Sequence, residues 1–236
     1  MRAVPPEPGV GGAGVVGRVL RRIGWRTGLL FVAILLPLWG FAELGEEVHE
    51  AESFVFDQPL LLRARAASGP WLDQAFLAIS WAGYQGVIIA DVLLIVALLA
   101  LRRWREATFA GVAVIGSALL NVGTKQLFGR ARPSLWPSIS PQDSFSFPSA
   151  HAMGSMTLVM VLVLLAWGTR WRWPVLVPAV LFGLSVGVSR IYLGVHYPSD
   201  VLGGWAAAMA WTMGVYAAVF SGLRRPWRTP QAGAPR

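Results

Sequence analysis

The sequence predicts an all-α, polytopic membrane protein with six transmembrane helices and both termini cytoplasmic. Three observations predict it: an apolar and charge-poor composition, six long apolar runs, and arginine clusters at alternate junctions between those runs. Of 236 residues, 55% are hydrophobic and 14% charged, which is too apolar for an ordinary soluble domain. A helix needs roughly 20 mostly apolar residues to cross a hydrocarbon core of about 30 Å. Runs of this kind lie at 28–42, 79–101, 107–128, 150–168, 174–189 and 201–223.

The first run ends Leu38-Trp39-Gly40-Phe41 without a small-residue cleavage pattern, so it reads as a retained signal anchor. Pro37, Pro174 and Pro178 interrupt the first and fifth runs, where neighbouring helices can re-satisfy the freed backbone groups. The second run carries Asp91, a costly residue in hydrocarbon that calls for a polar partner on a neighbouring helix, a later start to the span, or contact with the substrate. Tails 1–17 and 226–236, rich in Pro, Gly and Ala, read as disordered, leaving one domain over 18–225.

Orientation follows from the arginines, because cytoplasmic loops collect them. Arg18, Arg21, Arg22 and Arg26 precede the first run, Arg102, Arg103 and Arg105 follow the second, Arg170 and Arg172 follow the fourth, and Arg224, Arg225 and Arg228 follow the sixth. The loops 43–80, 129–149 and 190–200 then lie outside, the first carrying Glu43, Glu46, Glu47, Glu50, Glu52 and Asp57. The net charge of +8 is therefore topological, and a nucleic-acid partner, which would need a solvated basic face, is not expected. With no cysteine in the chain, a disulfide framework or thiolate metal site is excluded.

Six basic residues remain outside: Arg63, Arg65, Lys125, Arg130, Arg132 and Arg190. Four of them flank the third and fifth runs, against the topological preference, and an anionic ligand is the simplest reason for their retention; guanidinium forks suit phosphate oxygens. Lys125 alone would read as a snorkelling anchor. Ser149 stands where an N-cap is expected, and a helix N-terminus offers free N–H groups to a phosphate, with His151 beside it; the plain alternative is a cap with an interfacial histidine. His196 and Asp200 are four apart, so a helical turn at Pro198 lets the carboxylate fix one imidazole nitrogen and free the other. Asp200 or Ser199 could equally cap the sixth helix. Phosphoryl transfer needs positive charge, an in-line nucleophile and a proton donor, and these segments hold each.

Lys125-x6-Arg132-Pro133, Pro148-Ser149-Ala150-His151 and Ser189-Arg190-x5-His196-x3-Asp200 resemble, in order and spacing, the three signature motifs of the type 2 phosphatidic acid phosphatase superfamily. That superfamily includes bacterial membrane lipid phosphatases, undecaprenyl pyrophosphate phosphatases, glucose-6-phosphatase and vanadate haloperoxidases. The resemblance implies His196 as a nucleophile forming a phosphohistidine, Asp200 as its orienter and His151 as the acid for the leaving oxygen. It implies Lys125, Arg132, Arg190, Ser149 and the N–H of Ala150 as phosphate binders. Ala150 replaces the family's usual Gly; the change costs little if its φ is negative and strains phosphate binding if φ is positive.

The activity expected is hydrolysis of a lipid phosphate or pyrophosphate on the non-cytoplasmic face, the substrate entering from the bilayer. Undecaprenyl pyrophosphate, phosphatidylglycerol phosphate and phosphatidate all carry the required group, and carrier-lipid recycling suits an outward site in a bacterial inner membrane. No cofactor and no metal are expected, because the motif regions hold only Asp143 and Asp200 as carboxylates. The alternatives are a phosphotransferase with a lipid or sugar acceptor and a non-catalytic lipid binder or transporter.

Overall fold

The computed structural model describes residues 25–50, 52–220 and 226–227, with 25–27 described in backbone only. The tail 1–17, most of 226–236 and the flanking arginines Arg18, Arg21, Arg22, Arg224, Arg225 and Arg228 lie outside the described residues. Among those residues all regular structure is helical: α1 (Trp25–His49), α2 (Asp57–Ala66), α3 (Pro70–Trp81), a π-helical turn (Ala82–Gly86), α4 (Val87–Ala100), α5 (Trp104–Phe128), α6 (Ala150–Ala166), α7 (Arg172–Tyr192) and α8 (Pro198–Val219).

Among the described residues five runs are long and apolar enough to cross a membrane: Gly28–His49, Pro70–Ala100, Trp104–Phe128, Arg172–Tyr192 and Pro198–Val219. The fourth apolar run forms α6, at 17 residues a shorter helix. It is enclosed by α5, α7 and α8, which relieves it of covering its own surface with lipid. The expected loop 43–80 is largely helical instead. α1 continues to His49, α2 follows, and α3 starts at Pro70 behind the extended cap Gly69, a first-turn proline position that costs no hydrogen bond. Glu43, Glu46 and Glu50 stay exposed on this extension, but Asp57 is buried.

Small residues let the bundle close. Phe109, Ala110 and Ala113 of α5 pack with Val161 and Leu165 of α6 and Val215 of α8 at one end. Met153, Met156 and Val159 of α6 meet Ala208 of α8 nearer the other. There, a Cβ on Gly204 would lie 2.8 Å from the Ser149 carbonyl oxygen, so only glycine allows α8 to approach the start of α6 this closely. Leu29, Phe31, Val32 and Leu35 of α1 and Ile88, Val92 and Leu93 of α4 stay exposed, an apolar surface suited to hydrocarbon rather than water.

Candidate active site

Four helix ends meet at one end of the bundle: the C-termini of α5 and α7 and the N-termini of α6 and α8. α5 delivers Lys125 on a polar stripe, Ser117, Asn121 and Lys125, spaced by four so that all three face inward. Ser117 bonds Thr157 (2.8 Å), Asn121 donates to the Pro148 carbonyl (3.2 Å), and the Lys125 ammonium donates to the Phe145 carbonyl and to Ser144 Oγ (3.4 Å). Gly129, at φ 56°, ends α5 in the left-handed region that glycine tolerates, turning the chain toward Arg130 and Arg132.

Ser149 caps α6, its hydroxyl accepting from Ala152 N–H (3.4 Å). No positive φ is found at Ala150, so its methyl group causes no backbone strain. His151 follows and stacks on Tyr84 of the π-helical turn, ring centres 5.0 Å apart. α7 ends with Arg190, fully buried, its Nη1 donating to Ser80 Oγ. Its Nε and Nη2 have no hydrogen-bond partner among the described residues. Buried guanidinium donors are costly to leave unpaired, and an anion beside them would satisfy both.

His196 sits just before α8 and is 1% exposed. Its Nδ1 lies 3.4 Å from Asp200 Oδ2 and 3.4 Å from Ser146 Oγ, and its Nε2 lies 3.0 Å from Arg132 Nη1. A guanidinium only donates, so Nε2 carries the lone pair and Nδ1 the proton. Burial holds the imidazole below its ordinary value, at about 4, against the opposing pull of Asp200. The ring is thus neutral at pH 7, and its contact with Asp200 is a hydrogen bond rather than an ion pair. Arg132 also donates to the carbonyls of Ser144 (2.6 Å) and Val195 (2.7 Å); burial lowers its pKa as well. Lys125, Arg132, Ala150, His151 and His196 line one cavity of 440 Å³, together with Tyr84 and Gln85. Ser149 caps the helix beside it, and Arg190's partner Ser80 lines it.

Of the residues singled out from the three motifs, Lys125, Arg132, Ala150, His151 and His196 line this cavity, while Ser149, Arg190 and Asp200 stand behind the lining residues Ala150, Ser80 and His196. Asp91 does neither: it is buried in α4, its Oδ1 without a hydrogen-bond partner among the described residues. Sequence reasoning named Arg130 among the outer basic residues, Asp57 among the loop acids and Ser199 as a candidate cap, but missed Ser146 and the network that all four form behind Asp200. It also missed Tyr84 and the α5 stripe, although polar residues four apart in an apolar run were a readable signal. Trp136, in the loop after α5, packs over Gly194 with Arg65 above its ring at 5.7 Å. Among the described residues no group of three or more His, Asp or Glu gathers as a metal site would.

Comparison with known proteins gives a family and two kinds of relative. The PAP2 superfamily model matches residues 106–223. Phosphatidylglycerophosphatase B of Bacillus subtilis is 28% identical over 175 residues, 72% of this chain and 86% of that protein. Undecaprenyl-diphosphatase BcrC of the same organism is 30% identical over 127 residues, 52% of this chain and 62% of its own length, under two thirds of that relative. The crystal structure of a transmembrane PAP2-type phosphatidylglycerolphosphate phosphatase from B. subtilis superposes with a TM-score of 0.71 at 23% identity, covering 79% of this chain and 96% of that one.

Proposed function

The chain belongs to the PAP2 superfamily, whose model matches half its length, and on that premise we propose that it hydrolyses the terminal phosphate of a membrane lipid through a phosphohistidine on His196. The observation that carries this reading is the His196 ring itself: neutral, protonated on Nδ1 toward Asp200, and holding its Nε2 lone pair beside a cavity lined by Lys125 and Arg132.

In this reading the phosphate enters between Lys125, Arg132 and the two unpaired donors of Arg190, with the Ser149 hydroxyl and the start of α6 receiving another oxygen. Arg132 passes from Nε2 to a phosphate oxygen, exposing the lone pair. Nε2 attacks phosphorus in line with the departing lipid oxygen, the bond to that oxygen breaks, and His151 hands it a proton. Asp200 stabilises the cationic phosphoimidazole. Water then attacks the phosphohistidine, giving up a proton to His151, and inorganic phosphate leaves.

The same reading places six crossings in the bilayer, α6 among them, with both ends of the chain cytoplasmic and the cavity on the opposite face. The lipid tail stays in the membrane while the headgroup reaches the cavity. Relatives named for phosphatidylglycerophosphate and for undecaprenyl diphosphate share the group that the cavity would bind, a lipid-borne phosphate. Detergent-purified protein with undecaprenyl pyrophosphate, phosphatidylglycerol phosphate and phosphatidate, each with EDTA, tests the activity. Phosphate release from at least one lipid, lost in His196→Ala, is expected; no release from any, or an unaffected variant, overturns the reading.

A further inference from the structure

Behind Asp200 lies a buried charge arrangement that the proposed chemistry does not use directly. Arg130 splits its guanidinium between two carboxylates: Nη1 lies 2.6 Å from Asp200 Oδ1, and Nη2 lies 3.0 Å from Asp57 Oδ2. The side chains of Arg130, Asp57 and Asp200 are 13%, 3% and 0% exposed. Asp57, the first residue of α2, also accepts from the Ser199 backbone N–H (2.9 Å) and the Ser199 hydroxyl (2.6 Å), and Ser199 Oγ accepts from Arg130 (2.8 Å). Rings close the arrangement, with Tyr197 4.3 Å and Phe54 5.7 Å from the guanidinium carbon. On its other side Asp200 Oδ2 accepts from Ser146 (2.5 Å) and from Tyr197 N–H (2.8 Å). The carboxylate is therefore held from both oxygens, in the orientation that faces His196 Nδ1.

We propose that Arg130 and Asp57 are positioning residues for the reaction, a clamp that orients Asp200 and divides one positive charge so that Asp200 keeps its hold on His196. The clamp rests on the phosphohistidine reading of the same site and adds α2 to its machinery. Geometry explains the need for both partners. A guanidinium paired with Asp200 alone would neutralise it and weaken its support of a cationic imidazole. Without the guanidinium, Asp200 would keep only its Oδ2 contacts to Ser146 and the Tyr197 N–H, leaving Oδ1 unheld, and would hold a proton on His196 too firmly. Asp57 draws part of the guanidinium charge away, which leaves Asp200 anchored and still anionic.

The two partners of the clamp should act on His196 with opposite sign. Removing the guanidinium leaves Asp200 less neutralised, and the imidazole binds its proton more tightly. Removing the Asp57 charge gives Arg130 wholly to Asp200, and the imidazole binds its proton less tightly. The other charged or titratable groups around His196, namely Lys125 on α5, His151 on α6, Arg190 on α7 and Arg132 in the loop after α5, are the same in both variants.

The chain has three histidines, His49, His151 and His196, so nitrogen-15 histidine NMR of the full chain in detergent resolves the titration of each, with His196→Gln assigning its resonance. In Arg130→Gln the His196 midpoint is expected to rise by about one pH unit, and in Asp57→Asn to fall by a similar amount. Each variant should lose at least about tenfold in kcat/KM, and Arg130→Lys, which keeps the charge without the fork, should recover part of the loss. Midpoints that stay at the wild-type value in both variants, or that move in the same direction, overturn the clamp. Should Arg130→Gln fail to fold, Asp57→Asn decides by the same criterion with Arg130→Lys as its companion. A wild type that releases no phosphate from any lipid sinks the phosphatase reading and the clamp with it; an active wild type with unmoved midpoints sinks the clamp alone.

Discussion

At His196 two forces act in opposite senses, burial disfavouring the charged ring and Asp200 favouring it, and burial wins, leaving the pKa at about 4. The folded value lies below the ordinary 6.5, so the unfolded chain binds more protons between those two pH values. The stability this contributes is present above pH 6.5 and is lost as pH falls toward 4. Thermal melts in detergent should therefore show wild type losing more of its melting temperature than His196→Gln over that window. His151 supports a different expectation. In the proposed acid role it helps a lipid oxygen leave far more than it helps p-nitrophenolate, so His151→Gln should slow the phosphohistidine-forming burst with a lipid phosphate by about 100-fold or more and that with p-nitrophenyl phosphate far less. Equal losses on both substrates would contradict the assignment. At Arg190 the unpaired Nε and Nη2 make the fork the point of the residue, and Arg190→Lys should lower kcat/KM by about 10- to 100-fold, read by initial rates.

Elements explain which of these residues could be read from the chain and which could not. His151 and Asp200 lie in the first turns of helices and His196 just before one, with local caps and i,i+4 spacing, features that short-range stereochemistry writes into a motif. The clamp is of another kind: Asp57 and Arg130 are 73 positions apart, and Asp57 and Ser199 142 apart, so nothing local distinguishes Asp57 from the exposed glutamates before it. α2 was hidden for the same reason, since its docking depends on a partner at the far end of the sequence. The π-helical turn is likewise tertiary: Gly83 faces Val186 at a distance that a Cβ would reduce to 2.5 Å, and the turn brings Tyr84 onto His151. Where α6 meets α8, Gly204→Ala should displace the Ser149 carbonyl, costing about 1–3 kcal/mol and some phosphate affinity. A lowered melting temperature together with a raised KM checks this, and an unchanged melting temperature contradicts the close packing.

Over the whole molecule, hydropathy made the helical, membrane-spanning class legible because it reflects the bilayer directly. The extents of the helices were less legible, since α6 shelters among its neighbours and α1 and α3 run on into the expected outer loop. The proposed topology has its own test, aided by the absence of native cysteines: a membrane-impermeant maleimide added to intact cells should label Asp143→Cys and leave Gly168→Cys unlabelled. The central claim, a covalent histidine intermediate at the meeting point of four helix ends, is most directly reached by trapping it. Rapid acid-free quenching of the protein mixed with a lipid substrate labelled in its terminal phosphate should capture phosphorus on the wild type, stable to alkali, labile to acid, and absent from His196→Ala. A substrate that turns over while no label appears on the wild type, or label that persists in His196→Ala, would contradict it.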